Sequence, residues 1–164
     1  MGKGFETGTL YLPQLLMSAE AAGAAFEALK AGMKSGGGSG CEGKIVIATV
    51  KGDIHDIGKN IVRTLLENYG FEVIDLGRDV PVETVVNTVR EKNVHLVGLS
   101  ALMTTTMMRM KDVVELAKER GCNSKIIVGG AAITQSFADE IGADGYSPDA
   151  ADCVKLVERL LEEM

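Results

Sequence analysis

The chain has 164 residues and a mass of 17.4 kDa, room for one compact domain with a short appendage. Hydrophobic residues make up 46% of it, enough for a core, and the net charge of −6 at pH 7 speaks against a nucleic-acid binder, which needs a basic face. No apolar run reaches the roughly 18 residues of a membrane span, and the start of the chain lacks the charged-then-apolar pattern of a secretory signal.

Leu12, Leu15, Leu16, Ala19, Ala22, Phe26, Leu29 and Met33 recur at three- and four-residue steps. That is an amphipathic helical stripe, with Pro13 suited to its first turn. Residues 34–43, KSGGGSGCEG, offer no apolar face and read as a flexible linker. Residues 44–164 then alternate between two periods. KIVIATV (44–50) is a short β-branched run, the mark of a strand covered on both faces. A helix is expected from about Gly58 to Tyr69, burying Ile61, Val62, Leu65 and Leu66 and stopped by Gly70. Strand two follows at 71–77, and a helix at 82–91 behind Pro81. Strand three is expected at 95–101, a helix at 105–120, strand four at 125–130 and a short helix at 134–141. A fifth strand near 144–146 precedes a last helix at 149–163.

Five βα units with short connections predict an α/β fold, a five-stranded parallel sheet of flavodoxin-like (Rossmann-like) order 2-1-3-4-5. Ligands in such sheets sit at the carboxyl ends of the strands, so the loops there carry the function. The loop after strand one, KGDIHDIGKN (51–60), holds Asp53, His55, Asp56 and Gly58. Imidazole is the commonest protein ligand of transition metals, and a carboxylate on its other nitrogen fixes the tautomer. Asp53, two residues before His55, suits that role. Taken alone, the same loop also reads as a solvated histidine with aspartates capping a helix. After strand three, Ser100, Thr104, Thr105 and Thr106 crowd more hydroxyls than one helix cap needs. Met103, Met107, Met108 and Met110 read as core filler or a soft apolar wall. Gly129-Gly130 after strand four lets a bulky group approach the backbone. Cys41, Cys122 and Cys153 are too widely spaced for a disulfide framework or a zinc site, which favours a reducing cytoplasm.

Asp53-x-His55-x-x-Gly58, Ser100-x-Leu102 and Gly129-Gly130 resemble the three-part signature of cobalamin-binding domains that hold the cofactor base-off and His-on. The string VKGDIHDIGKNIV, with DLGRDVP and VGLSALMTTT, is similar to cobalamin-dependent methionine synthase and to small corrinoid proteins of methanol and methylamine methyltransferase systems. LYLPQLLMSAEA (10–21) resembles the end of the helical cap that precedes the domain in those proteins. The resemblance implies a partial cap segment at 1–33, the linker at 34–43 and a cobalamin-binding domain at 44–164.

By that resemblance His55 is the lower axial ligand of cobalt. Asp53 accepts the proton of its other nitrogen, and Thr106, where methionine synthase has serine, completes a relay. The displaced nucleotide tail of cobalamin, carried as methylcobalamin, or of a related corrinoid runs down a cleft between strands one and three. Gly58, Ser100, Leu102, Gly129 and Gly130 line that cleft, while Gly52, Ile54, Asp56, Thr104 and Ala150 match further contacts with the cofactor. The implied function is a corrinoid methyl carrier that completes neither half-reaction alone. It shuttles a methyl group on cobalt between a substrate-specific methyltransferase and an acceptor methyltransferase, with a reductive activation protein as a further partner. One helix is less than the several-helix cap of those proteins, so another chain or more residues would shield the upper corrin face, with Tyr11 or Leu12 near the methyl. The small subunit of an adenosylcobalamin-dependent mutase is the alternative. A cobalamin-responsive regulator and an FMN-binding domain are weaker rivals.

Overall fold

The computed structural model describes residues 43–164; the expected helix over 12–33, the linker up to residue 42, Tyr11, Leu12 and Cys41 lie outside the described residues. The elements run β1 (Lys44–Thr49), α1 (Ile57–Asn68), β2 (Glu72–Asp75), α2 (Val82–Lys92), β3 (Leu96–Ser100), α3 (Thr104–Glu119), β4 (Lys125–Gly129), α4 (Gln135–Ile141), β5 (Gly145–Ser147) and α5 (Ala150–Glu162). The strands form one sheet in the order β2-β1-β3-β4-β5, and every pairing is parallel. This is the flavodoxin-like arrangement that the alternation of periods predicts.

Side chains alternate across each strand, so the sheet buries two cores. Val46, Ala48, Val97, Leu99, Ile126 and Val128 face α2, α3 and α4, where Val86, Met110, Val114 and Phe137 complete the packing. Ile45, Ile47, Leu96 and Ile127 face the other way, against Leu66 of α1 and Val154, Val157 and Leu160 of α5. Along α1 only Leu66 of the expected apolar set is fully buried, because the helix leans over open space rather than over a filled core.

Strand ends follow the register rather than composition. β1 stops at Thr49, and Val50 makes a single bridge to Val80 beyond the end of β2. β5 lies one residue later than the sequence suggests, which brings Ser147 into the sheet beside Gly129. These shifts decide which side chains reach the upper rim.

Candidate functional site

The residues after β1 form a turn in which the Asp53 N–H donates to the Val50 carbonyl at 3.0 Å. Gly52, third in that turn, has φ +85°, a value that glycine takes without strain. The neighbouring β2–α2 loop braces it: the Gly52 N–H donates to Asp79 Oδ1 at 2.8 Å, and the Asp79 N–H donates to the Asp53 carbonyl at 3.0 Å. Lys51 pairs with the same Asp79 oxygen at 3.0 Å. The Gly52 N–H and Lys51 hold the Asp79 carboxyl below its ordinary value.

Asp53 then turns its side chain fully inward. Its Oδ1 accepts the His55 N–H at 3.0 Å and lies 2.8 Å from His55 Nδ1. Its Oδ2 accepts the Leu102 N–H and the Thr106 hydroxyl, both at 2.8 Å. Burial alone pushes this carboxyl up, but the bonds from His55, Leu102 and Thr106 outweigh it and hold Asp53 well below the usual carboxylate range. An ionised carboxylate only accepts, so the Nδ1 of His55 carries the proton. Nε2 is therefore the ring nitrogen left to act as a ligand, and the side chain is 45% exposed.

Helix capping by the hydroxyls of the β3–α3 loop does not occur. Met103 is the N-cap of α3 and no side chain caps it; the Asp53 carboxylate meets the start of this helix instead, through Leu102 and Thr106. Asp56 precedes α1, also without a side-chain cap bond. Asp56 thus holds the N-cap position of α1 without the side-chain bond expected of a capping aspartate, and Asp53 serves the start of α3 instead. Of the methionines, Met110 is core and Met108 is exposed.

Beside His55 opens a cavity of about 750 Å³ between α1 and α5, over the upper half of the sheet. Its floor is made by the strand positions that point to the α1 and α5 face. Going up β3 on that face, Leu96 gives way to Gly98 and Ser100, and on β4 Ile127 gives way to Gly129. Side chains shrink, and a slot is left. It reaches past β1 and β3 to Ser147 of β5, wider than a cleft confined to the first two of these strands.

His55, Ile54, Asp56 and Gly58 form one side of the mouth, and Leu102, Gly130 and Ala150 line the slot further along. Asp53 and Thr106 stand behind His55, out of the slot, and Gly52 is in the turn. Thr104 begins α3 and does not line the slot. Gly130 is there for packing: at φ +128°, a Cβ would fall 2.0 Å from the Ala101 carbonyl oxygen. A Cβ on Gly58 meets nothing within 4 Å, so any side chain there would project into open space.

Sequence reasoning missed Gly98, Arg78 and Cys153, which also line the cavity. The Gly98 signal was present, since it stands two residues below Ser100 and so shares its face. Burial pushes the Cys153 thiol up. Lys59 is buried too, with its ammonium 2.7 Å from both oxygens of Asp75. Burial opposes ionisation of Asp75, yet the hydrogen bonds from Lys59 and the Gly77 N–H hold its carboxyl below the ordinary value.

The site suits a large group that meets the His55 imidazole and reaches into the slot. Ile54 and Ile57, 61% and 70% exposed, flank the histidine with apolar surface that such a group would cover. Among the described residues no three His, Cys, Asp or Glu side chains converge as a metal cage, so His55 offers a single ligating nitrogen.

The B12 binding domain family matches residues 43–155. The chain belongs to that family. Its cofactor is cobalamin or a related corrinoid, and the slot and the histidine fit one. Relatives extend beyond the domain: the chain is 50% identical to dimethylamine corrinoid protein 1 of Methanosarcina acetivorans over 98% of its own length and 76% of that protein. It is 48% identical to dimethylamine corrinoid protein 3 of Methanosarcina mazei over 98% of both chains. Among solved structures, the Methanosarcina barkeri monomethylamine corrinoid protein superposes with a TM-score of 0.80 at 36% identity, covering 99% of this chain and 76% of that one. A chain of the methanol:cobalamin methyltransferase complex MtaBC from Methanosarcina barkeri superposes at 0.72 and 36% identity, covering 99% and 62%. Within the described residues of this B12-binding domain, no helix is long and apolar enough to cross a membrane.

Proposed function

We propose that the chain is a corrinoid methyl carrier that holds its cofactor with the lower base displaced and His55 in that base's place. The observation that carries this reading is the half-exposed His55 imidazole at the mouth of the slot, its Nδ1 held by a buried, ionised Asp53 so that Nε2 is the nitrogen left to ligate. When bound, the corrinoid supplies a cobalt that accepts a methyl group from one partner and yields it to another.

The chain's residues hold, orient and tune. Asp53 fixes the ring direction and raises the basicity of Nε2, and Thr106 and Leu102 keep Asp53 in place and charged. The small residues Gly98, Ser100 and Gly129 leave room for the displaced tail, and Gly58 and Ala150 line its path. Ile54 and Leu102 supply apolar contact at the rim. Gly52 sets the turn, Asp56 borders the mouth, and Gly130 lines the slot further along. Thr104, at the start of α3 and off the slot, is assigned to the cofactor by the family resemblance alone.

The likeness to dimethylamine and monomethylamine corrinoid proteins supports a methylated amine as donor, and favours the methyl carrier over the mutase subunit. The MtaBC likeness supports a substrate-specific methyltransferase as the first partner. An acceptor methyltransferase is the second, and a reductive activation protein the third. Residues 1–33 are read as a partial cap, 34–43 as a linker and 44–164 as the corrinoid domain. The free thiols of Cys122 and Cys153 support a reducing compartment, the cytoplasm.

The test is reconstitution with hydroxocobalamin, comparing wild type with His55→Ala. Wild type should bind and show a histidine-ligated absorption spectrum, and the variant should lose that ligation. Absence of binding by wild type, or identical spectra and affinities for both proteins, overturns the reading.

A further inference from the structure

We infer that Asp79 is a positioning residue for the histidine loop, fixing through its carboxylate and its own N–H the backbone that presents Asp53 and His55. The inference rests on the cofactor reading above and adds to it a residue outside the slot's lining. Asp53 is held from two directions. Its side chain is anchored through Leu102, two residues ahead of α3, and Thr106 in the first turn of α3, and its backbone is held by the turn bond to Val50 and by Asp79.

Gly52 is the point where the loop has most freedom, since glycine gives up more conformations than any other residue when ordered. Asp79 restrains that point on both sides. The Gly52 N–H donates to Asp79 Oδ1 at 2.8 Å, and the Asp79 N–H donates to the Asp53 carbonyl at 3.0 Å. Lys51 adds a third contact to the same carboxylate at 3.0 Å. The Val50–Val80 bridge holds the two loops in register below these bonds.

The backbone of Asp79 carries a matching sign. Its φ is +55°, in the left-handed region that L-residues other than Asn and Asp avoid. Among the described residues Asn93 is the other such non-glycine, and it ends a helix, a common use of that conformation. Asp79 ends no helix; its conformation aims its carboxylate at the Lys51–Gly52 peptide and its N–H at the Asp53–Ile54 peptide, one on each side of Asp53's own nitrogen. With those two peptides and the Asp53 carboxylate held, the hydrogen bonds from the His55 N–H and Nδ1 to Asp53 Oδ1 orient the imidazole from a fixed base.

Asp79→Gly and Asp79→Asn separate this role from simple folding. Glycine accepts the backbone conformation and keeps the N–H but deletes the acceptor oxygen; asparagine keeps the oxygen. In protein without cofactor, the Gly52 amide of Asp79→Gly should exchange with solvent about tenfold faster than in wild type, the loss expected for one charged acceptor. After reconstitution with hydroxocobalamin, its ratio of histidine-ligated to unligated cofactor should fall by about three- to tenfold, read from the absorption spectrum. Asp79→Asn should recover most of both effects.

Wild-type exchange of Gly52 together with wild-type ligation in Asp79→Gly overturns the inference and leaves the cofactor reading standing. A fall in ligation that only tracks a loss of folded protein by circular dichroism overturns it as well. A wild-type protein that binds no corrinoid overturns the cofactor reading, and with it the role of Asp79.

Discussion

Thr106 and Asp53, 53 residues apart in the chain, meet through a buried hydrogen bond of 2.8 Å from the threonine hydroxyl to Asp53 Oδ2. The threonine methyl sits below the turn, 3.5 Å from where a Cβ on Gly52 would be. Hydroxyl and methyl thus do different jobs. Thr106→Val keeps the shape and deletes the donor, leaving a buried carboxylate one bond short, and should cost about 1–3 kcal/mol of stability. Thr106→Ser keeps the donor and gives up the methyl, for about 0.8 kcal/mol. Urea unfolding of both variants at pH 7 checks the order; a valine variant as stable as the serine one contradicts it.

The depressed Asp53 carboxyl predicts a direction for acid unfolding. Its folded value lies below the ordinary 3.8, so the unfolded chain binds the proton first on acidification. The stabilisation is fully present above about pH 4–5 and is lost as pH falls through the folded value. Asp53→Asn cannot titrate at that position. Its stability deficit relative to wild type should therefore be largest near neutrality and shrink below about pH 4. Paired unfolding curves at pH 7 and pH 3 measure this, and a deficit that grows on acidification refutes the assignment.

How much of this was legible in the sequence depends on the range of the interactions. The strand runs and their order were legible because β-branched segments such as Lys44–Thr49 are unambiguous when helices flank them. Asp53, His55 and Gly58 stood out because they are close in sequence. The Thr106 donor could be singled out by resemblance alone, since several hydroxyls compete there and composition does not say which turns inward. Asp79 stood inside the DLGRDVP string, but its role could not be read there. Its role depends on a left-handed backbone and on a loop 27 residues away, neither of which leaves a periodic trace.

Gly58 offers a test in which stability and binding move in opposite directions. It lies in the first turn of α1 without a positive φ, so alanine fits the backbone and reduces the freedom of the unfolded chain. Gly58→Ala should stabilise the protein without cofactor by about 0.4–1 kcal/mol. The new methyl points into unfilled space that the cofactor reading assigns to the corrinoid. Affinity for hydroxocobalamin should accordingly drop, by about tenfold for a steric cost near 1.4 kcal/mol. Thermal melts without cofactor and binding titrations give the two signs, and tighter binding by the alanine variant counts against the slot.

Lys59 is a charge on the apolar stripe of its helix, three residues before Val62 and seven before Leu66. It is tolerated there because Asp75, at the end of β2, meets the ammonium with both oxygens, while Asn60 Oδ1 accepts a further bond at 2.9 Å. The pair ties the first turn of α1, and so the end of the histidine loop, to the sheet. Lys59→Met removes the ammonium and leaves Asp75 with only the Gly77 N–H at 2.8 Å and a longer contact to Arg63 at 3.4 Å. Breaking a buried pair from one side costs about 3–5 kcal/mol, and the partial exposure of Asp75 and the nearby Arg63 put the expected loss at the lower end, about 3 kcal/mol. Replacing both partners, Lys59→Met with Asp75→Leu, removes the stranded charge, so the double variant should recover at least half of the loss. A double-mutant cycle in urea measures the coupling; strictly additive losses would mean that the two side chains are anchored independently and that α1 is held by its apolar contacts alone.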